Sequence, residues 1–204
     1  MYLKEIWRYP VKSMAGESLQ SSRVTRLGLE GDRITHVRNR QGRVITARTH
    51  PKLLGYKGSD VIDPADLEAI AGPGAHLVHD ESGNRFDVLP LLVATDGAIE
   101  GFGRDSRRLR PNLIIGGVPG LSERAWPGRK LRIGNVLIHL DSLRARCVMT
   151  TYDPDTQQQD LAVLKDIVRR FDGELALNAA VDFEAAGLQG MLSVGAAVEL
   201  LEPA

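Results

Sequence analysis

The 204-residue chain holds a single cysteine, Cys147, so no disulfide can close within it and no cysteine-built zinc site or iron–sulfur centre can form. A lone thiol also points to a reducing compartment. Charge of one sign is missing: 26 Lys and Arg face 26 Asp and Glu, where a nucleic-acid binder carries a basic surplus. No run reaches the ~18 apolar residues of a membrane span. The start, MYLKEIWRYPVK, lacks the apolar stretch of a secretory signal. The expectation is a cytoplasmic protein with neither a membrane nor a nucleic-acid partner. GGVPG lacks the Lys-Ser/Thr of a P-loop, and no glycine-rich phosphate loop follows a strand, so a nucleotide hydrolase has no support. Internal repeats and low-complexity tracts are missing as well.

What is present suits a globular chain with its own core: 43% hydrophobic and 25% charged residues. Twenty-one Gly and ten Pro favour short elements and tight turns. Strand signals dominate. Leu3 to Val11 reads as a strand, and residues 34–47, 76–88 and 131–140 read as hairpins turning near Gly42, at Ser82-Gly83-Asn84 and at Gly134-Asn135. Residues 175–183 and 191–201 are further strands. Residues 88–95 form a buried apolar run of either type. One helix is predicted after Asp160, with Leu161, Leu164, Ile167, Val168 and Phe171 on one face and Gly173 as its stop. Pro64 to Ile70 and Gly97 to Phe102 read as short helical turns. The expected fold class is mainly β with some helix, not a doubly wound parallel sheet.

Charge is patterned although its sum is zero. Residues 1–58 carry 12 basic against 4 acidic side chains, and residues 101–146 carry 10 against 3. Acidic blocks follow each. Two basic blocks that met in space would make an anion site, although ordinary solvated surface gives the same pattern.

The segment LRARCVMTTYDPDT carries the most chemistry. A lone cysteine is more often a small buried hydrophobe. Here Arg144 and Arg146 flank Cys147, and cations favour the thiolate that ligates metal or attacks electrophiles. None of the five histidines is spaced to pair with it, so a metal on this thiolate would need a cofactor that brings its own soft donors, such as a dithiolene. Thr150 and Asp153 could orient solvent or substrate, while Asp153 and Asp155 equally suit a plain turn. Lys12 and Ser13, after the bend at Pro10, make a phosphate grip. Arg33 follows a turn, and Arg110-Pro111-Asn112 could read an anionic or heteroaromatic ligand. Each is weak alone.

In order, YPVKS, GLEGDR, TARTHPKLL, LRPNLII and RCVMTTYDPDT resemble the MOSC family, named for the C-terminal domain of molybdenum cofactor sulfurase, and within it the amidoxime-reducing components and their bacterial relatives. The resemblance covers nearly the whole chain. It implies an N-terminal MOSC β-barrel region over residues 1–88 and a β-barrel MOSC domain over 89–204. It also implies a molybdenum cofactor, the metal held by a pyranopterin dithiolene and by Cys147. Lys12, Ser13, Arg33, Arg110, Asn112 and Arg146 carry over as cofactor-binding residues, with Thr95 as a nearby polar group. The chain departs from the pattern at Arg144 and Ala145, where CSRC is usual, at Gln157 for glycine, at Ala98 for serine and at Ala196 for aspartate.

The activity implied is reduction of N-hydroxylated or N-oxygenated small molecules. The electrons would come from a separate ferredoxin- or flavoprotein-type donor, since one cysteine cannot build a fused module. Two alternatives stand beside it: a sulfur carrier using a Cys147 persulfide, and a cofactor-binding module without turnover.

Overall fold

The computed structural model describes residues 1–58, 62–80, 82, 85–182 and 190–202. Strand outweighs helix, 38% to 23%, as the turn-rich sequence requires. Fourteen strands are described: β1 (Tyr2–Arg8), β2 (Glu17–Leu19), β3 (Ser21–Thr25), β4 (Gly28–Leu29), β5 (Thr35–Arg38), β6 (Val44–Ile45), β7 (His76–His79), β8 (Leu91–Thr95), β9 (Leu113–Gly116), β10 (Lys130–Ile133), β11 (Val136–Ala145), β12 (Glu174–Val181), β13 (Gly190–Ser193) and β14 (Val198–Leu201). Three α-helices accompany them: α1 (Pro64–Ala71), α2 (Asp96–Phe102) and α3 (Leu161–Phe171).

Eight strands form one sheet in the order β14-β10-β11-β12-β8-β9-β1-β2. All its neighbours are antiparallel except β8 and β9, which are parallel with α2 between them in sequence. Two three-stranded sheets, β13-β3-β4 and β6-β5-β7, complete the fold. Strands on both sides of residue 88 therefore share two of the three sheets. The expected barrels are not closed among the described residues. The start of β1 meets the segment just before β14 through one bridge, Tyr2 to Ala197, and a few backbone bonds such as Leu3 N–H to Ala196 O at 2.9 Å. A single bridge joins edges without the continuous ladder that closure needs.

The hairpin at 131–140 forms as expected: Ile133 faces Val136, and Gly134 turns at φ 59°. The 34–47 hairpin forms as β5 and β6. The 76–88 hairpin does not. β7 pairs with β5 instead, and no strand follows it from 85 to 88; Gly83 and Asn84 lie outside the described residues. The helix at 161–171 has the Asp160 cap, its carboxylate accepting from Ala162 N–H at 2.9 Å. Its buried face is Val163, Ile167 and Phe171, whereas Leu161 and Val168 are exposed, so the apolar stripe is rotated from the one expected.

The core of the large sheet includes Leu3, Ile6, Leu113, Ile115, Leu131, Ile138 and Leu177, all fully buried. Each such side chain contributes about 1.5–3 kcal/mol. A second cluster beneath α1 gathers Met14, Val37, Ala47 and Leu53, and a third lies between α2 and α3.

Two irregularities interrupt the β11–β12 pair. One extra residue sits on β11 at Asp141. Farther along, Leu143 faces Leu177 but Ala145 faces Glu174, so β12 holds the surplus there, with Ala176 at φ 67°. This second bulge turns Leu175 away from the sheet core into the α2–α3 cluster. It lies opposite Arg144 to Arg146, just before Cys147. Bulges bend strands and re-aim side chains in this way.

Candidate functional site

Beyond β11 the chain turns sharply at Cys147. The Thr150 N–H and hydroxyl both return to the Cys147 carbonyl, at 3.0 and 2.9 Å, and the Thr151 hydroxyl returns to Val148 O at 2.6 Å. Both threonines are fully buried. The Thr-Thr pair thus clamps a short 3-10 turn over 148–151, and the half-buried Cys147 side chain lines a cleft.

Three other loops bring side chains to that cleft. After Pro10, Lys12 N–H bonds Thr35 O at 2.8 Å, and Ser13 adopts φ 71°. After Gly31, the Arg33 N–H bonds Tyr9 O at 2.7 Å, and Arg33 adopts φ 53°. Before Pro111, Arg110 adopts φ 57°. The left-handed region costs an ordinary residue ~1 kcal/mol or more. Three of the six non-glycine residues found there among the described residues line this one cleft. Such strain collects where surrounding structure imposes it at binding sites.

Asn112 sits at the cleft floor, with none of its surface exposed. Its side-chain oxygen accepts from Leu92 N–H at 3.1 Å and from Arg33 at 3.3 Å, and its amide donates to Trp7 O at 3.2 Å. It ties β1 to β8 and aims Arg33. The fully buried Asp32 pairs with Arg33 and accepts from Tyr9 N–H at 2.8 Å. The Tyr9 ring carries Arg33 at 4.8 Å and Arg110 at 4.2 Å. Burial pushes the Tyr9 hydroxyl up to about 12, and the two arginines oppose that rise.

Charge in the cleft is one-sided. Among the described residues, Lys12, Arg33, Arg48, Arg85, Arg110, Arg144 and Arg146 line it, against one carboxylate, Asp87. The two basic blocks of the sequence supply six of the seven cations. Asp87 bonds Lys12 at 2.8 Å and Arg48 at 2.7 Å, with Arg144 at 3.7 Å, and the three cations hold it ionised, below the usual range, against the opposing pull of burial. Burial lowers both Arg110 and Arg146 to about 10, so both stay charged at neutral pH. Arg146 donates to Leu109 O at 2.6 Å, but its buried Nε has no partner. Arg48 is raised chiefly by Asp87, with the Cys147 side chain as a further hydrogen-bonding neighbour.

Lys12, Ser13, Arg33, Arg110, Asn112, Arg146 and Cys147 are therefore brought together. Three residues named with them are not among the cleft lining. Thr95, fully buried, caps α2 through Ala98 N–H at 3.2 Å and donates to the buried Glu123 at 3.1 Å. Thr150 is spent on the Cys147 turn. Asp153 closes the DPDT turn, accepting from the N–H groups of Asp155 and Thr156, and pairs with Arg108 at 2.8 Å. Of the departures from the resemblance, only Arg144 and Ala145 line the cleft. Sequence reasoning missed Arg48, Arg85 and Asp87. Arg48 lay in plain view in TARTHPKLL; Asp87 gave no signal, because it arrives from an acidic block and its partners are distant in sequence.

Among the described residues no cluster of three or more His, Cys, Asp or Glu could hold a metal. A metal on Cys147 would need the rest of its donors from a chelate. The cation excess and the orphaned Arg146 Nε suit a chelate that is itself anionic, so the residues present fit such a group.

The fold is that of a MOSC protein. The family description "MOSC N-terminal beta barrel domain" matches residues 1–61 and "MOSC domain" matches residues 99–199, and the chain belongs to the MOSC family. It is similar to mitochondrial amidoxime-reducing component 1 of Mus musculus, 25% identical over 76% of this chain and 67% of that protein. It is likewise similar to mitochondrial amidoxime reducing component 2 of Homo sapiens, 23% identical over 79% of this chain and 70% of that one. The crystal structure of the YUAD protein from Bacillus subtilis shares the fold, with a TM-score of 0.55 at 12% identity, covering 98% of this chain and 94% of that one. No described helix is long and apolar enough to cross a membrane.

Proposed function

We propose that the cleft at the end of β11 binds a molybdenum cofactor, a pyranopterin dithiolene, with Cys147 as its one protein ligand. We further propose that the loaded protein reduces N-hydroxylated or N-oxygenated small molecules. The observation that carries this reading is a cleft lined, among the described residues, by seven cations, one carboxylate and the chain's sole thiol side chain. The relatives' printed names, amidoxime-reducing components, support the choice of substrate class.

When bound, the group supplies a two-electron redox centre that can take an oxygen atom. The protein's part is binding and orientation. Arg33, Arg110 and Arg146 would offer charge-assisted hydrogen bonds to the anionic oxygens of the group, and Ser13 a neutral hydroxyl. Lys12, bonded to Asp87, would add a further cation. The Thr150 clamp fixes the Cys147 backbone so that the sulfur needs no reorganisation. The overall change, R–NHOH + 2 H⁺ + 2 e⁻ → R–NH₂ + H₂O, takes its electrons from a separate donor of ferredoxin or flavoprotein type. We place the reaction in the cytoplasm.

Elemental analysis of protein from a cofactor-producing host tests the binding step. Stoichiometric molybdenum, absent in Cys147→Ala, and turnover of a model amidoxime with an artificial reductant are the expected results. Cyanide-labile sulfur without metal would replace this reading with a persulfide carrier. Metal without turnover would reduce it to a binding module.

A further inference from the structure

A second cleft, of about 570 Å³, opens beside the first and shares Arg110 and Met149 with it as wall. Clefts of this size accommodate small organic ligands. Its other walls include three aromatic rings: Trp7 at the end of β1, Tyr9 just past it, and Tyr152 after the Cys147 turn. The close approach of the walls depends on Gly16, where a Cβ would meet the Tyr9 ring at 2.5 Å.

Most charge around this cleft is already matched. Arg107 is held by Asp105 and Asp155, each at 2.7 Å, and Glu17 by Arg8 at 2.8 Å. Arg108 is bonded to Asp153. Arg110 differs. Its guanidinium stacks on Tyr9 and donates no side-chain hydrogen bond among the described residues. Stacking fixes the guanidinium plane and leaves its N–H edge free, the arrangement that receives a planar carboxylate in a fork. A cationic ligand would find the described carboxylates of the lining, Glu17 and Asp155, already paired, and a purely apolar one would leave Arg110 without an anion.

We propose that the second cleft binds a planar aromatic or heteroaromatic acid, its ring against Trp7 and Tyr152 and its anionic group on Arg110. Arg110 lines both clefts, so this ligand and a cofactor in the first cleft would share its five donors, and the site is tested in protein without cofactor.

The test uses the full chain, free of metal. Anthranilate, titrated against tryptophan fluorescence, binds saturably with one site per chain. The neutral isostere anthranilamide binds about tenfold more weakly, and Arg110→Gln loses about tenfold for anthranilate but not for the amide. Ser18→Phe, at an exposed position of the edge strand β2 on the cleft wall, abolishes binding without lowering the melting temperature. The proposal is overturned if titration never saturates, if acid and amide bind alike, or if Ser18→Phe leaves anthranilate binding intact.

Discussion

Two pairs of arginines, Arg107 with Arg108 and Arg110 with Arg146, are treated oppositely. Arg107 and Arg108 are bound to aspartates on both sides of the DPDT turn. Arg110, two residues on, lies against the Tyr9 ring with no carboxylate partner among the described residues, and the half-buried Arg146 in the same cleft has an orphaned Nε. The first pair holds chain to chain. Burial of the second pair is offset only in part, by the Tyr9 ring for Arg110 and by the Leu109 carbonyl for Arg146, as suits a place where an anionic ligand completes the site. Residue type is the same in both; partner supply separates structure from function.

The largest expected effect tests that contrast directly. Arg108→Met strands Asp153 and the carbonyls of Thr150 and Thr151, and should lower stability by about 2 kcal/mol, a value discounted for the partial exposure of Asp153. Arg110→Met should leave urea stability unchanged within about 0.5 kcal/mol or raise it, because an unmatched buried charge is removed. The same variant should bind inorganic phosphate more weakly. Equal losses of stability in the two variants would erase the distinction.

Thr95 belongs with the structural group, and its variant sharpens the line. Thr95→Ala should cost about 1 kcal/mol through the lost α2 cap while phosphate affinity stays at the wild-type level. A drop in phosphate affinity with no change in melting temperature would return Thr95 to the ligand site.

Glu123 is the acidic counterpart, a carboxyl buried beside Thr95 and raised above its usual range chiefly by burial. Its folded form binds a proton that the unfolded form has released. Its contribution is therefore full below the unfolded value and is lost as pH rises through the higher folded value. Denaturation midpoints measured across that window should fall with pH in the wild type and fall less in Glu123→Gln. Parallel profiles would show that Glu123 is not the group responsible.

The smallest effect concerns the DPDT turn itself. Gln157 holds φ 57°, and its N–H bonds Asp153 O at 2.9 Å. Glycine accepts this conformation without strain, so Gln157→Gly should stabilise by roughly 0.5 kcal/mol after losing the side-chain bonds to the carbonyls of Pro154 and Asp155. A loss of stability would mean that those bonds outweigh the backbone term.

Short-range features were readable before any coordinates. The Gly134 turn, the Asp160 cap and the Pro10 bend each depend on residues within a few positions of one another. The 76–88 hairpin misled because alternation marks a strand without naming its neighbour, and β5 was the better partner. The α3 stripe misled because five apolar residues exceeded what the neighbouring cluster could cover, leaving Leu161 and Val168 outside. In the cleft, charge sign was legible as two basic blocks. Asp87 was not, since its meaning depends on Lys12 and Arg48, 75 and 39 positions away.

By itself, then, the order of residues determined a strand-rich chain with a sole thiol between arginines, tight turns at its glycines and prolines, and cations enough for an anion. Only the tertiary arrangement decided which of those cations were left without carboxylates, and which polar groups were consumed in holding the fold. Local backbone preference acts over a few residues, whereas the matching of buried charges is settled by whatever distant segments the sheets carry into contact.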